Sequence, residues 1–267
     1  MIAAAIGAII VGVTLGVLGS GGSILTVPLL VYLVGHEEKA AIAESLAIVG
    51  FIALTGAINR AHRGQVDWNG VIRFAPASAI GAAVGSALLA PLLPGPVQLM
   101  GLGVLMLVAA QRMGRRTSEV SRKPKAAIWF ILAGLGVGLA TGLLGVGGGF
   151  MIVPALVLIG GLEMHRATGT SLALIALQCT IALVFSDQIG EIDLTTVALF
   201  AALGAAGALG GQRLASKFDH ATLKRVFAIF LVLLAPAMIV RELIDLRSPD
   251  EPPDEGAETA PATGLEP

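Results

Sequence analysis

Apolar positions along this chain run in blocks, approximately 2–18, 23–34, 40–59, 69–90, 96–111, then 126–143, 149–160, 164–185, 194–212 and 222–244, with charged residues largely confined to the breaks. A helix needs about 20 apolar residues to cross roughly 30 Å of hydrocarbon, and most of these blocks come near that length. Blocks apolar on every side predict buried or lipid-facing helices rather than amphipathic surface helices. Two blocks, 23–34 and 149–160, are too short to cross at about 1.5 Å per residue. Each follows a glycine cluster, so each pair 2–34 and 126–160 is predicted to form a helical hairpin with a glycine tip. The three blocks after each hairpin are predicted to span. From Ser248 onward the chain is Pro-rich, acidic and without apolar periodicity, which predicts a disordered tail over 247–267.

Composition sharpens this to an integral membrane protein. The 267 residues are 55% hydrophobic and only 13% charged, where a soluble domain carries about 25%. Mean hydropathy is +0.87. Plentiful glycine and few aromatics favour helices that approach closely. A single cysteine, Cys179, excludes an intramolecular disulfide and any multi-cysteine metal cluster; it is expected to be a small apolar filler. The first residues carry no basic region or cleavage signal ahead of the apolar run, so they are read as a retained segment. The net charge of −1 says nothing about partners, because the charges are segregated into loops.

That segregation sets the topology. Arg112, Arg115, Arg116, Arg122, Lys123 and Lys125 make 112–125 a basic linker expected in the cytoplasm. Arg213, Lys217, Lys224 and Arg225 place 213–225 inside as well, and Arg60, Arg63 and Arg73 do the same for 60–73. Asp187, Glu191 and Asp193, with no Lys or Arg between them, put 186–193 outside. These assignments hold together only if the second hairpin enters and returns on the inner side and the first opens outward. The predicted fold class is therefore all-α integral membrane, in two inverted-topology repeats, each a Gly-tipped hairpin plus three transmembrane helices. The first repeat spans 1–111, the linker 112–125 and the second repeat 126–246.

The halves also match residue by residue. Leu-Gly-Ser-Gly-Gly-Ser-Ile-Leu-Thr-Val-Pro-Leu-Leu at 18–30 returns as Leu-Gly-Val-Gly-Gly-Gly-Phe-Met-Ile-Val-Pro-Ala-Leu at 144–156, a constant separation of 126 residues (Gly19 to Gly145). At the same separation Ala41 meets Ala167, Glu44-Ser45 meets Thr170-Ser171, Gly64 and Asp67 meet Gly190 and Asp193, and Gly81 and Gly85 meet Gly207 and Gly211. Paired breaks of this kind in two halves of a membrane protein point to the binding site of a secondary transporter. The motif at 145–156, followed by Ala167-Thr-Gly-Thr-Ser171, resembles the TauE/SafE family of sulfite and organosulfur-anion exporters. The first half carries the same signature in weaker form, and the resemblance covers about residues 5–245. It implies an exporter of sulfite or a sulfonate in a bacterial-type cell membrane. Glu44, where the second half has a threonine, departs from a simple two-fold-symmetric anion cage.

Helix starts at glycine clusters present unpaired N–H groups and the positive end of the macrodipole. Gly19, Ser20, Gly21, Gly22 and Ser23, with Gly145, Gly147, Gly148 and Gly149, are therefore expected to form two anion cradles brought face to face by the pseudo-two-fold axis. Ser45, Thr170 and Ser171 are expected to complete the shell with hydroxyls, or else to bond back to their own helices. A carboxylate near the membrane core is costly unless paired or protonated, which makes Glu44 the candidate for proton coupling; the competing expectation is an interfacial Glu44 facing water. Pro28 and Pro154 are expected to kink the short helices or to begin their next turn. Gly81, Gly85, Gly207 and Gly211 have the spacing of helix-packing glycines, and Asn59, Gln98 and Gln178 suit interhelical hydrogen bonds. His36, His62, His165 and His220 fall at loops or helix ends and are expected to be solvated.

The expected function is secondary transport of a small anion by alternating access, with an anion channel or a non-transporting membrane scaffold as the alternative. No enzyme motif, cofactor site or metal site is expected: Ser171 has no histidine within the apolar blocks, and Gly145-Val-Gly-Gly-Gly lacks the strand and acid of a dinucleotide fingerprint. The expected partners are the anion and the bilayer, with a homo-oligomer left open and no nucleic acid.

Overall fold

The structure, a computed structural model, describes residues 2–20, 22–89, 101, 104–105, 107–113, 127–144, 149–184 and 192–245. Nine α-helices are defined within them and no strand: α1 (Ile2–Leu18), α2 (Gly22–Leu29), α3 (Glu38–His62), α4 (Trp68–Val84), α5 (Ala127–Leu144), α6 (Gly149–Leu158), α7 (Met164–Val184), α8 (Leu194–Ala215) and α9 (His220–Asp245). Among the described residues, four stretches are long and apolar enough to cross a membrane: Ala40–His62, Trp68–Ala87, Met164–Val184 and Leu194–Ala215. Their outward faces stay apolar: Ile72 is 69% exposed and Leu194 77%, a surface suited to lipid rather than water. Of the fifth block, 96–111, the described residues 101, 104–105 and 107–111 are helical, and the helix runs on to 113.

α1 contacts α2, and α5 contacts α6. α1 leads into α2 through a break at Gly19 and Ser20, and α5 leads into α6, with the connection at 145–148 outside the described residues. Pro28 lies inside α2 just before the helix widens into a π-helical turn over Leu30–Val34, which Gly35 ends at φ +86°. Proline removes one donor from the ladder, and such a widened turn is one way a helix absorbs the gap. Pro154 lies inside α6, all of whose residues from Ile152 to Val157 are buried.

Glycine sets how the long helices pack. α1 runs against α8, and α5 against α4. A Cβ at Gly12 would collide with the carbonyl of Gly204, and one at Gly16 with that of Ala208. At the corresponding places in the other pair, Gly138 meets the carbonyl of Ser78 and Gly142 that of Ala82. From the opposite side, a Cβ at Gly207 would lie 2.6 Å from the Ile9 oxygen, and one at Gly211 2.7 Å from that of Val13. Gly81 and Gly85 press on Leu135 and Leu139 in the same way. All four glycines expected to pack helices do so, because only a missing side chain lets backbones come this close.

Between these pairs lie α3 and α7, in contact with each other. Side-chain hydrogen bonds also cross between the helices. Asn59 donates to the Gln212 side-chain oxygen, whose amide in turn donates to Gly56 O at 3.0 Å; Gln178 donates to the Ser78 hydroxyl at 3.3 Å. Asn59 and Gln178 are interhelical as expected, while Gln98 lies outside the described residues. Cys179 is buried and free.

Candidate functional site

The first glycine tip is built where three helices meet. Gly19 N–H donates to Leu15 O at 2.8 Å, continuing α1 by one bond, and then Gly19 turns to φ +70°, a conformation that ordinary side chains resist. The tip is seated on the start of α7. A Cβ at Gly19 would lie 2.7 Å from both Cα and Cβ of Thr168 and 2.8 Å from Ser171 Oγ. The Ser171 hydroxyl faces two carbonyls, Gly19 at 2.7 Å and Thr168 at 2.9 Å, and its single proton is shared between them. Next in the chain, Ser20 is wholly buried and its Oγ has no hydrogen-bond partner among the described residues. α2 then begins at Gly22, with Ser23 in its first turn. Gly149, which opens α6, is buried; Gly21, Gly145, Gly147 and Gly148 lie outside the described residues.

The other expected hydroxyls are committed to protein. Ser45 donates to Ile42 O at 2.7 Å within its own helix. Thr170 Oγ1 accepts the backbone N–H of Asp67 at 2.9 Å. Asp67 is the N-cap of α4, its carboxylate accepting from Gly70 N at 3.3 Å. Thr170 thus ties the start of α7 to the start of α4.

Glu44 makes the corresponding tie in the other direction. It is 1% exposed, so the expectation of a water-facing glutamate does not hold. Its Oε1 accepts the backbone N–H of Asp193, the N-cap of α8, at 3.0 Å, and Oε2 pairs with His36 Nδ1 at 2.6 Å. Asp193 in turn accepts from the Thr195 amide at 2.9 Å and the Thr196 hydroxyl at 2.7 Å. The Thr196 hydroxyl, then the Thr195 amide, hold this carboxyl below its usual range.

Three of the four histidines depart from the solvated expectation. His36 is bound to Glu44, His220 Nδ1 accepts from Met164 N at 2.7 Å, and His165 Nε2 faces Phe218 O at 3.3 Å. His62 is exposed, as expected. Buried helix starts need partners for their N–H groups, and histidine supplies one at Met164.

Arg60 is the residue that sequence reasoning missed, having counted it only as loop charge. It lies in the last turn of α3 and is 2% exposed. Nη1 donates to Gln65 Oε1 at 2.9 Å, Nη2 to Gly16 O at 3.3 Å, and Nε has no partner among the described residues. The available signal was its position directly after an apolar block, where a helix can carry a charge inward. Among the described residues no group of three or more His, Cys, Asp or Glu is placed to hold a metal ion.

The family profile for the sulfite exporter TauE/SafE matches residues 4–238. A protein of Xylella fastidiosa named "Probable membrane transporter protein" is 32% identical over 246 residues, covering 89% of this chain and 94% of the relative. One of the same name from Haemophilus influenzae is 26% identical over 253 residues, covering 86% and 94%. No solved structure matches.

Proposed function

This chain belongs to the TauE/SafE sulfite exporter family, a family of membrane transporters, and on that footing we propose that it is a secondary transporter that exports a small anion of the sulfite or organosulfonate class across the cell membrane. Its two halves act as inverted-topology repeats, and the anion is held by the half-helix N-termini at the glycine breaks while access alternates.

The observation that carries the binding reading is Ser20. A buried hydroxyl left without a partner costs about 1–3 kcal/mol, and this one sits at the junction of a broken helix, just before the first turn of α2. Ser45 and Ser171 give their protons to carbonyls, so Ser20 is the serine of the expected shell with a proton to offer among those whose side chains are described. The N-terminus of α2 adds the positive end of a helix dipole.

The repeat is supported by contacts that recur when both partners shift by 126 residues. Gly12 on Gly204 becomes Gly138 on Ser78, and Gly207 on Ile9 becomes Gly81 on Leu135. Likewise the Glu44 bond to Asp193 N corresponds to the Thr170 bond to Asp67 N. The basic loops supply the opposed orientation by the positive-inside rule. Glu44 serves as the coupling site: its two carboxylate oxygens join His36 to the Asp193 amide at the start of α8.

The test is counterflow in proteoliposomes with labelled sulfite, sulfoacetate, thiosulfate and chloride. A carrier of this class shows saturable counterflow of one or more of the sulfur oxyanions, and Gly21→Leu or Gly147→Leu abolishes it with membrane insertion intact. Flux without counterflow identifies a channel, no flux at all a scaffold, and normal counterflow in both variants removes the glycine tips from the site.

A further inference from the structure

We propose that Arg60 is the cation that receives the transported anion, and that it and Ser20 form one oxyanion site where the ends of α1 and α3 meet the start of α7. This rests on the reading of the chain as an anion carrier and names the group that would make it one. In an unbroken helix the carbonyl of Gly16 would accept the N–H of residue 20. Here it accepts Arg60 Nη2 at 3.3 Å, which sets the guanidinium beside the turn that carries Ser20. From the other side α7 closes over it: a Cβ at Gly169 would collide with Gln65 O and lie 3.3 Å from Arg60 Cβ. The junction therefore holds two polar groups that are at least nine-tenths buried and have an unpaired donor, Arg60 Nε and Ser20 Oγ.

The charge balance points the same way. The partners of Arg60 are a side-chain amide oxygen and a backbone carbonyl, both neutral. Arg60 takes no part in the pair of His36 with Glu44. A buried, ionised guanidinium without a carboxylate is costly inside a membrane protein, and such residues line substrate pathways. An arginine serving only to cap α1 would turn its donors to carbonyls. This one keeps Nε–H free, along with the N–H bonds its two contacts leave unused, in the planar fork that matches two oxygens of a sulfite or sulfonate group. The equivalent position in the second half is Ser186, so the cation belongs to one repeat only. One anion per chain is expected, not a symmetric pair.

The experiment measures sulfite and sulfoacetate binding to the full chain in detergent by thermal shift, with neutral dimethyl sulfone as control, beside counterflow in proteoliposomes. The wild type is stabilised by the anions and not by the sulfone. Arg60→Gln raises the half-saturating sulfite concentration about 10–100-fold, the range for losing a charged hydrogen bond. Its melting temperature without anion does not fall, because the uncompensated charge has gone. Arg60→Lys, which keeps the charge without the fork, shows a smaller loss and serves if the Gln variant does not fold. Wild-type affinity in either variant overturns the proposal and leaves the carrier reading standing. A lowered anion-free melting temperature with unchanged affinity makes Arg60 a structural cap, which also overturns it. A wild type that neither binds nor exchanges any of these anions overturns both.

Discussion

Glu44 and Asp193, 149 residues apart in the chain, are joined by a hydrogen bond of 3.0 Å from the Asp193 amide to Oε1. The bond links α3 to the cap of α8, and the other carboxylate oxygen of Glu44 pairs with His36. Glu44→Gln keeps an oxygen that can accept from Asp193 but removes the negative charge facing His36. Transport by this variant is expected to lose most of its pH dependence while the protein still folds. Uptake measured across a pH series in proteoliposomes decides it; an unaltered profile removes Glu44 from coupling.

Gly19 is held at φ +70° with Thr168 Cα where a side chain would begin. Gly19→Ala is expected to destabilise by at least about 1–2 kcal/mol from the left-handed backbone alone, with the clash against α7 added. Thermal unfolding in detergent measures this, and a stability equal to wild type contradicts the seating of the tip.

Two glycines on α8 should part company. Gly207 has the Ile9 oxygen 2.6 Å from the place of its missing Cβ, whereas Gly210 has nothing within 4 Å. Gly207→Val is expected to lower stability by about 1–3 kcal/mol through overpacking. Gly210→Ala should be neutral or stabilise by up to about 1 kcal/mol through helix propensity. Equal effects at both sites would contradict the close approach of α1 and α8.

His220 links α9 to α7 by accepting the Met164 amide on Nδ1. Burial lowers its pKa below 6.5, Lys224 and His165 lower it further, and Glu163 and Asp219 oppose the shift. A lowered folded-state value means the folded protein favours the neutral ring. The stability it contributes is complete above about 6.5 and is lost as pH falls through the folded value. Melting temperature is therefore expected to fall on mild acidification, and to fall less in His220→Leu. Parallel pH curves for the two proteins would exclude this link.

The block pattern placed the helices to within a few residues, α3 reaching Arg60 and His62 beyond its predicted end. The tip sequence located the break at Gly19, and the four-residue spacing of Gly81 with Gly85 and of Gly207 with Gly211 anticipated that these glycines pack helices. The site was less legible. Ser20 and Ser171 read alike as candidates for the anion shell, yet the Ser171 proton is shared between Gly19 O and Thr168 O while Ser20 Oγ has no partner among the described residues. Arg60 and Arg63 read alike as loop charge, yet Arg60 is buried and Arg63 exposed.

Taken alone, the chain determined that it would be helical and lipid-embedded, where its helices break, and that its halves correspond. Those properties follow from side-chain transfer free energy and from the backbone chemistry of glycine and proline, which act within a few residues of themselves. Only the tertiary structure decided that Glu44 holds Asp193, that Thr170 holds Asp67, and that Arg60 is sealed beneath Gly169. Such pairings depend on which distant backbones meet, and burial then settles whether a polar group has water, a protein partner or an empty place for a ligand.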